Sequence, residues 1–153
     1  MQKKNWKDLN HLQIGKYAEY LAKMEFILYG FDVFTPELDH KGIDFIVRKD
    51  ELTYFDIQVK SSRDLNYIFF LKEKFQLKEN LYAVIVIFTG ESKSDLYLIP
   101  SLTWKKKKDS LFVFHEYKDK KSPPEYGLNL SQKNLPSLEK FKFENVLEEF
   151  SKK

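Results

Sequence analysis

The chain has 153 residues, 42% of them hydrophobic and 16% aromatic, with 14 Phe and 9 Tyr, which is enough for one continuous core and too little for two comfortable domains. It contains no cysteine; this excludes a disulfide scaffold, thiolate metal sites and a cysteine nucleophile, so any metal must be held by oxygen or histidine. The formal charge of +3 permits a polyanionic partner without requiring one, and because Arg48 and Arg63 are the only arginines, bidentate reading of guanine is disfavoured.

Met1 to Trp6 lacks the apolar region of a signal peptide, and no apolar run approaches the roughly 20 residues of a membrane span; the expectation is a cytoplasmic protein with no membrane partner. From His11 to Tyr29 the residues Leu12, Ile14, Tyr17, Ala18, Leu21, Ala22, Met24, Ile27 and Leu28 recur at helical spacing, and Gly30 follows where a left-handed cap belongs. Phe31 to Phe34, Gly42 to Arg48 and Leu52 to Lys60 read as strands, the last two forming a hairpin. Tyr67 to Leu71, Tyr82 to Phe88 and Asp95 to Ile99 follow; the apolar run Ala83 to Phe88 predicts a strand covered on both faces at the centre of the sheet. Only about ten residues separate the Tyr67 and Tyr82 strands, close to the minimum for a parallel crossover, so any helix there is short. Ser101 offers an N-cap, Leu111 to His115 reads as a strand, Ser122-Pro123-Pro124 as a polar loop, and Leu135 to Phe150 as helix with Pro136 near its start. The expected fold class is α/β, a mixed central sheet flanked by helices, in a single domain over 1–153 with a helical tail at 135–153.

The chemistry concentrates in Phe55-Asp56-Ile57-Gln58-Val59-Lys60, where apolar and polar residues alternate. Phe55, Ile57 and Val59 are expected to face the core, and Asp56, Gln58 and Lys60 to share the other face. In Gly42-Ile43-Asp44-Phe45-Ile46-Val47 a single carboxylate stands among apolar residues, and hairpin pairing can bring Asp44 beside Gln58 and Lys60. Gly15 and Glu19, four apart on the first helix, share a face, so Glu19 could reach the same place past a residue with no side chain.

The ordered series Gly15-x-x-x-Glu19, Gly42-Ile43-Asp44 and Gln58-Val59-Lys60, within residues 11 to 62, resembles the motifs of the PD-(D/E)XK nuclease superfamily, closest to its Holliday-junction resolvase-like and Mrr-like members. The resemblance implies a restriction-endonuclease-like core and Mg²⁺- or Mn²⁺-dependent hydrolysis of phosphodiesters, with DNA a better-fitting partner than RNA and weak sequence preference. It implies Asp44 as chief metal ligand, Glu19 as a helix-borne second, the Gln58 amide oxygen and Val59 carbonyl as further ligands, and Lys60 orienting the attacking water. Most of the superfamily carries Asp or Glu where this chain has Gln58, although the Mrr-like branch shares the Gln; the neutral ligand weakens attraction for the metal.

Other readings stand beside these. Asp56 is either a compensating ligand or a solvated strand residue, and His40 beside Asp39 either a second metal or proton-transfer residue or an incidental loop histidine. Lys105 to Lys108 is either a phosphate track or solvated surface; Trp104 and Tyr97 are core or rim residues rather than base platforms. For the whole chain the alternative is a catalytically silent binding module, and the aromatic strands with the 135–150 tail could build a homodimer.

Overall fold

The computed structural model describes residues 1–38, 41–106, 109–119 and 121–151. After a 3₁₀ turn at Trp6–Asp8, helix α1 spans His11–Leu28. Its start is fixed by a reciprocal cap: the Gln13 amide donates to Asn10 Oδ1 and the Asn10 amide to Gln13 Oε1, both at 2.9 Å. Its end is fixed by Gly30 at φ +86°, which lets the Phe31 amide reach the Phe26 carbonyl and the Gly30 amide that of Ile27. The Phe26 and Phe31 rings then close edge to face at 5.5 Å. Ile14, Ala18, Ala22 and Phe26 form the buried stripe, and the two alanines let the helix lie close on the sheet.

Strands β1 (Asp32–Phe34), β2 (Phe45–Arg48), β3 (Tyr54–Arg63), β4 (Tyr67–Leu71), β5 (Leu81–Thr89) and β6 (Lys93–Pro100) follow. Five of them make a mixed sheet in the order β1-β2-β3-β5-β6, antiparallel except where β3 runs parallel to β5. The expected hairpin is β2–β3, closed by Asp50, whose Oδ1 accepts from the Leu52 and Thr53 amides. The expected double-covered strand is β5, buried from Leu81 to Phe88, with β3 on one side and β6 on the other.

β4 does not join this sheet. The β3-to-β5 crossover contains no α-helix, only β4 and a 3₁₀ turn at Lys72–Lys74. β4 pairs instead in a second sheet, β4-β8-β7, with β7 (Phe112–His115) and β8 (Glu125–Asn129). The sequence reading placed a polar loop ahead of the tail and missed β8, because Glu125-Tyr126-Gly127-Leu128-Asn129 carries one aliphatic residue and three poor strand formers. Pairing on both sides supplies what local propensity lacks.

The main sheet therefore separates two cores. On one face α1 and the last helix pack around Phe26, Phe45, Ile57, Val84 and Val86. On the other, the second sheet and α2 (Thr103–Lys106) pack around Phe70, Phe75, Ile85, Ile99 and Trp104. Ser101 is no helix cap; its buried hydroxyl accepts from the Lys78 amide and donates to the Lys78 carbonyl. The 135–150 segment is not one helix but α3 (Leu135–Leu138), a 3₁₀ turn at Glu139–Phe141 and α4 (Phe143–Ser151). Leu138 and Phe141 enter the second core, Phe143, Val146, Leu147 and Phe150 the first, and Lys142 forms a bridge to Tyr97 on the open edge of β6.

Candidate metal and phosphodiester site

Gly42 sets the approach to Asp44. It stands at φ +76°, and a Cβ there would lie 2.7 Å from the Lys74 carbonyl oxygen, so both conformation and space demand glycine. Asp44 sits just before β2, one step beyond the Phe45–Ile57 pair that ends the β2–β3 ladder. That step opposes it to Gln58 and puts both on one face. The Asp44 amide still donates to the Ile57 carbonyl at 2.9 Å. Its carboxylate Oδ2 then accepts from the Val59 amide at 2.7 Å, taking over where β2 leaves the sheet. A strand residue's N–H and C=O point the same way, so the Val59 carbonyl opens on the edge where Asp44 sits.

The polar face of β3 is not a solvent face. The second sheet covers it, and Asp56, Gln58 and Ser62 are buried. Asp56 is neither a solvated residue nor a spare ligand: its Oδ2 pairs with Lys78 Nζ at 2.7 Å. Gln58 Oε1 is buried without a hydrogen-bond partner among the described residues, an arrangement that costs roughly 1–3 kcal/mol. Lys60 is half-buried, its Nζ 5.7 Å from the centre of the Phe70 ring.

Glu19 arrives from α1, on the opposite face of the sheet. Its side chain is 15% exposed, and Oε2 accepts from Lys16 Nζ at 2.8 Å. That hydrogen bond, then the Glu19 charge, hold the Lys16 ammonium above the usual lysine range, and Asp44 contributes a weaker pull in the same direction. Lys16 thus responds to both carboxylates. Asp44, Gln58 and the Val59 edge are brought together by the β2–β3 register; Lys60 stands two residues along on the Gln58 face, and Glu19 stays on the other face of the sheet, paired with Lys16. Gly15 does not make room for Glu19, since a Cβ there would meet nothing within 4 Å; it borders open space.

That space is a cleft of about 380 Å³ lined by His11, Gly15, Val59, Lys60, Ser61 and the β4 residues Tyr67, Ile68 and Phe69. The β4 residues were not singled out in the sequence. Tyr67 and Phe69 point out and Ile68 and Phe70 in, but Tyr67 to Leu71 is apolar throughout, so the sequence carries no signal that tells the two faces apart.

The donors that the strands bring together, the Asp44 carboxylate, the Gln58 amide oxygen with no partner among the described residues and the Val59 carbonyl, are all oxygen, as Mg²⁺ and Mn²⁺ prefer. Among the described residues no three His, Cys, Asp or Glu side chains cluster as a metal site by themselves, so an ion here would need the amide and the carbonyl. Asp39, His40, Lys107 and Lys108 lie outside the described residues. Lys105 and Lys106 are exposed, and Trp104 is a core residue whose Nε1 donates to the Gly127 carbonyl at 2.8 Å; Tyr97 is likewise buried. No described helix is long and apolar enough to cross a membrane.

No known family profile and no curated protein matches the chain. Solved structures that are similar to it include a bacterial homing endonuclease, I-Ssp6803I, at 18% identity and TM-score 0.47, over 75% of this chain and 85% of that one. Another is Hjc, a Holliday junction resolvase from Archaeoglobus fulgidus, at 12% identity and TM-score 0.45, over 77% of this chain and 91% of that one. The fold class expected from the order of elements, a mixed central sheet with helices packed on it, is the one observed.

Proposed function

We propose that this chain hydrolyses phosphodiester bonds of DNA with a bound Mg²⁺ or Mn²⁺ ion and weak sequence preference. The observation that carries the reading is Gln58 Oε1, without a partner among the described residues and buried on the face that Asp44 shares. A fold has reason to retain such an atom when a ligand satisfies it. Asp44, Gln58, the Val59 carbonyl and Glu19 would hold the ion, which when bound supplies positive charge to polarise the phosphoryl group and acidify water.

The chain's own groups do the rest. The Val59 amide fixes the Asp44 carboxylate, so the acceptor is held in place before any ligand arrives. Lys60, steadied over the Phe70 ring, puts an ammonium on the cleft wall where charge would build on the phosphoryl oxygens. Scarcity of arginine leaves lysine and backbone contacts to hold the polymer, which favours phosphate recognition over base reading.

The test is Mn²⁺-dependent cleavage of linear, circular and branched DNA by the purified chain, beside EDTA and Lys60→Ala. Cleavage is expected from the native chain, abolished by EDTA and reduced about 100-fold or more in Lys60→Ala. Intact DNA of every form after incubation with folded native protein would sink the reading. The second reading, a silent binding module, is favoured by one observation: Lys16 already neutralises Glu19 at 2.8 Å. It predicts no cleavage and no Mn²⁺ binding.

A further inference from the structure

The cleft beside Lys60 has a second wall that hydrolysis does not use. Tyr67 and Phe69, alternate residues of β4, are 40% and 45% exposed, and their rings lie 20° from parallel with centres 6.3 Å apart. β4 is an edge strand of the second sheet, so this pair stands at a rim and is not the covered face of a layer.

The Tyr67 ring is held in place. Tyr67 Oη donates to Glu125 Oε2 at 2.5 Å, and Tyr117 Oη donates to Glu125 Oε1 at 3.1 Å. Glu125 is itself buried. Tyr67 reaches it across Gly127, where any Cβ would run into the phenol ring. A glycine at the middle of a central strand is unfavourable unless something must lie flat against it, and here that something is an exposed aromatic ring. The same cleft is lined by Lys60 and Ser61 from β3 and by His11 and Gly15 from α1.

We infer that Tyr67 and Phe69 form a stacking shelf for an unpaired base of single-stranded DNA, whose phosphate runs past Lys60. This rests on the phosphodiesterase reading of the adjoining site, with which the cleft shares Val59 and Lys60, and narrows it: the substrate carries unpaired nucleotides next to the bond that is cut. The charge in the cleft identifies the occupant. Exposed flat rings with a lysine ammonium in the same cleft match a base with its phosphate, and only an unpaired base has a face free to stack. Tyr67, fixed in advance, loses little freedom on binding, so its stacking is retained as affinity.

The test separates the shelf from the chemistry by working in EDTA. Anisotropy of fluorescein-labelled oligothymidylate and of a blunt duplex is measured with the native chain, Phe69→Leu and Tyr67→Phe. Tighter binding of oligothymidylate than duplex is expected, with about a tenfold or greater loss in Phe69→Leu and none in Tyr67→Phe, which keeps its ring. Phe69 makes no hydrogen bond through its side chain and is exposed, so the leucine variant folds. A Phe69→Trp variant adds a direct readout: its emission is expected to be quenched as oligothymidylate saturates, above the background of buried Trp6 and Trp104. Equal binding of both DNA forms by native and Phe69→Leu protein, or Phe69→Trp emission unchanged at saturation, would overturn the shelf. Shelf binding without Mn²⁺ cleavage would reject the phosphodiesterase and keep the shelf; cleavage of single-stranded DNA by Phe69→Leu at the native rate would do the reverse.

Discussion

Gln58 is where stability and function pull apart. Its buried amide oxygen has no protein partner among the described residues, so an apolar residue of similar shape removes a desolvation cost without opening a void. Gln58→Met is expected to raise the unfolding free energy by about 1 kcal/mol in urea titrations and to abolish Mn²⁺ binding measured by calorimetry. A destabilised Gln58→Met would show that the amide has partners that satisfy it. Lys16 gives a complementary prediction. Its ammonium competes for Glu19 and feels Asp44, so Lys16→Met is expected to tighten Mn²⁺ binding several-fold; unchanged affinity would place Glu19 outside the ligand set. The alternation in residues 55–60 made the shared face of Asp56, Gln58 and Lys60 legible in the sequence. What covers that face was not legible, because the covering strands begin at Tyr67 and end at Asn129, and nothing local records their return.

At the scale of elements, the second sheet depends on the contact between Gly127 and Tyr67. A methyl group at 127 forces the tyrosine off the strand and breaks its bond to Glu125. Gly127→Ala is expected to cost about 2 kcal/mol in thermal or urea unfolding, and much less in a Tyr67→Ala background, since the clash is then gone. Equal costs in both backgrounds would mean that the glycine serves its own backbone and not the ring. Elements with strong internal pattern were readable: α1 had its apolar stripe and Gly30, β5 its unbroken apolar run. β8 was unreadable for the opposite reason, being held by neighbours on both sides and by a tyrosine lying across its glycine. The apolar side chains left outside are also concentrated on one element. On α1, Met24, Ile27 and Leu28 remain more than half exposed or close to it, and any self-association of the chain is expected to be weakened by Ile27→Lys in sedimentation runs.

For the molecule as a whole, the abundance of tyrosine sets an alkaline limit. Burial pushes the Tyr82 phenol up to about 12, with Glu149 adding to the shift, and burial also raises Tyr97 and Tyr126. A phenol whose folded value lies above its unfolded value near 10 stabilises the fold fully below about pH 10, and that contribution is lost as pH rises through the folded value. Melting temperature is therefore expected to fall between about pH 10 and about 12, with a shallower decline in Tyr82→Phe; identical slopes would show that Tyr82 ionises without unfolding.

The route of the C-terminal segment bears on how the protein is made. Leu138 and Phe141 belong to one core and Phe143 to Phe150 to the other, with Lys142 lying across the edge of β6 between them. During synthesis every strand leaves the ribosome before these residues do, at about 5–20 residues per second. Until residue 150 has emerged, the parts of both cores that these residues fill, and the β6 edge, stay open to other chains. The nascent protein therefore passes through an interval in which its secondary structure can be in place while neither core is complete, and in that interval it is a natural client for chaperones that bind exposed apolar strands.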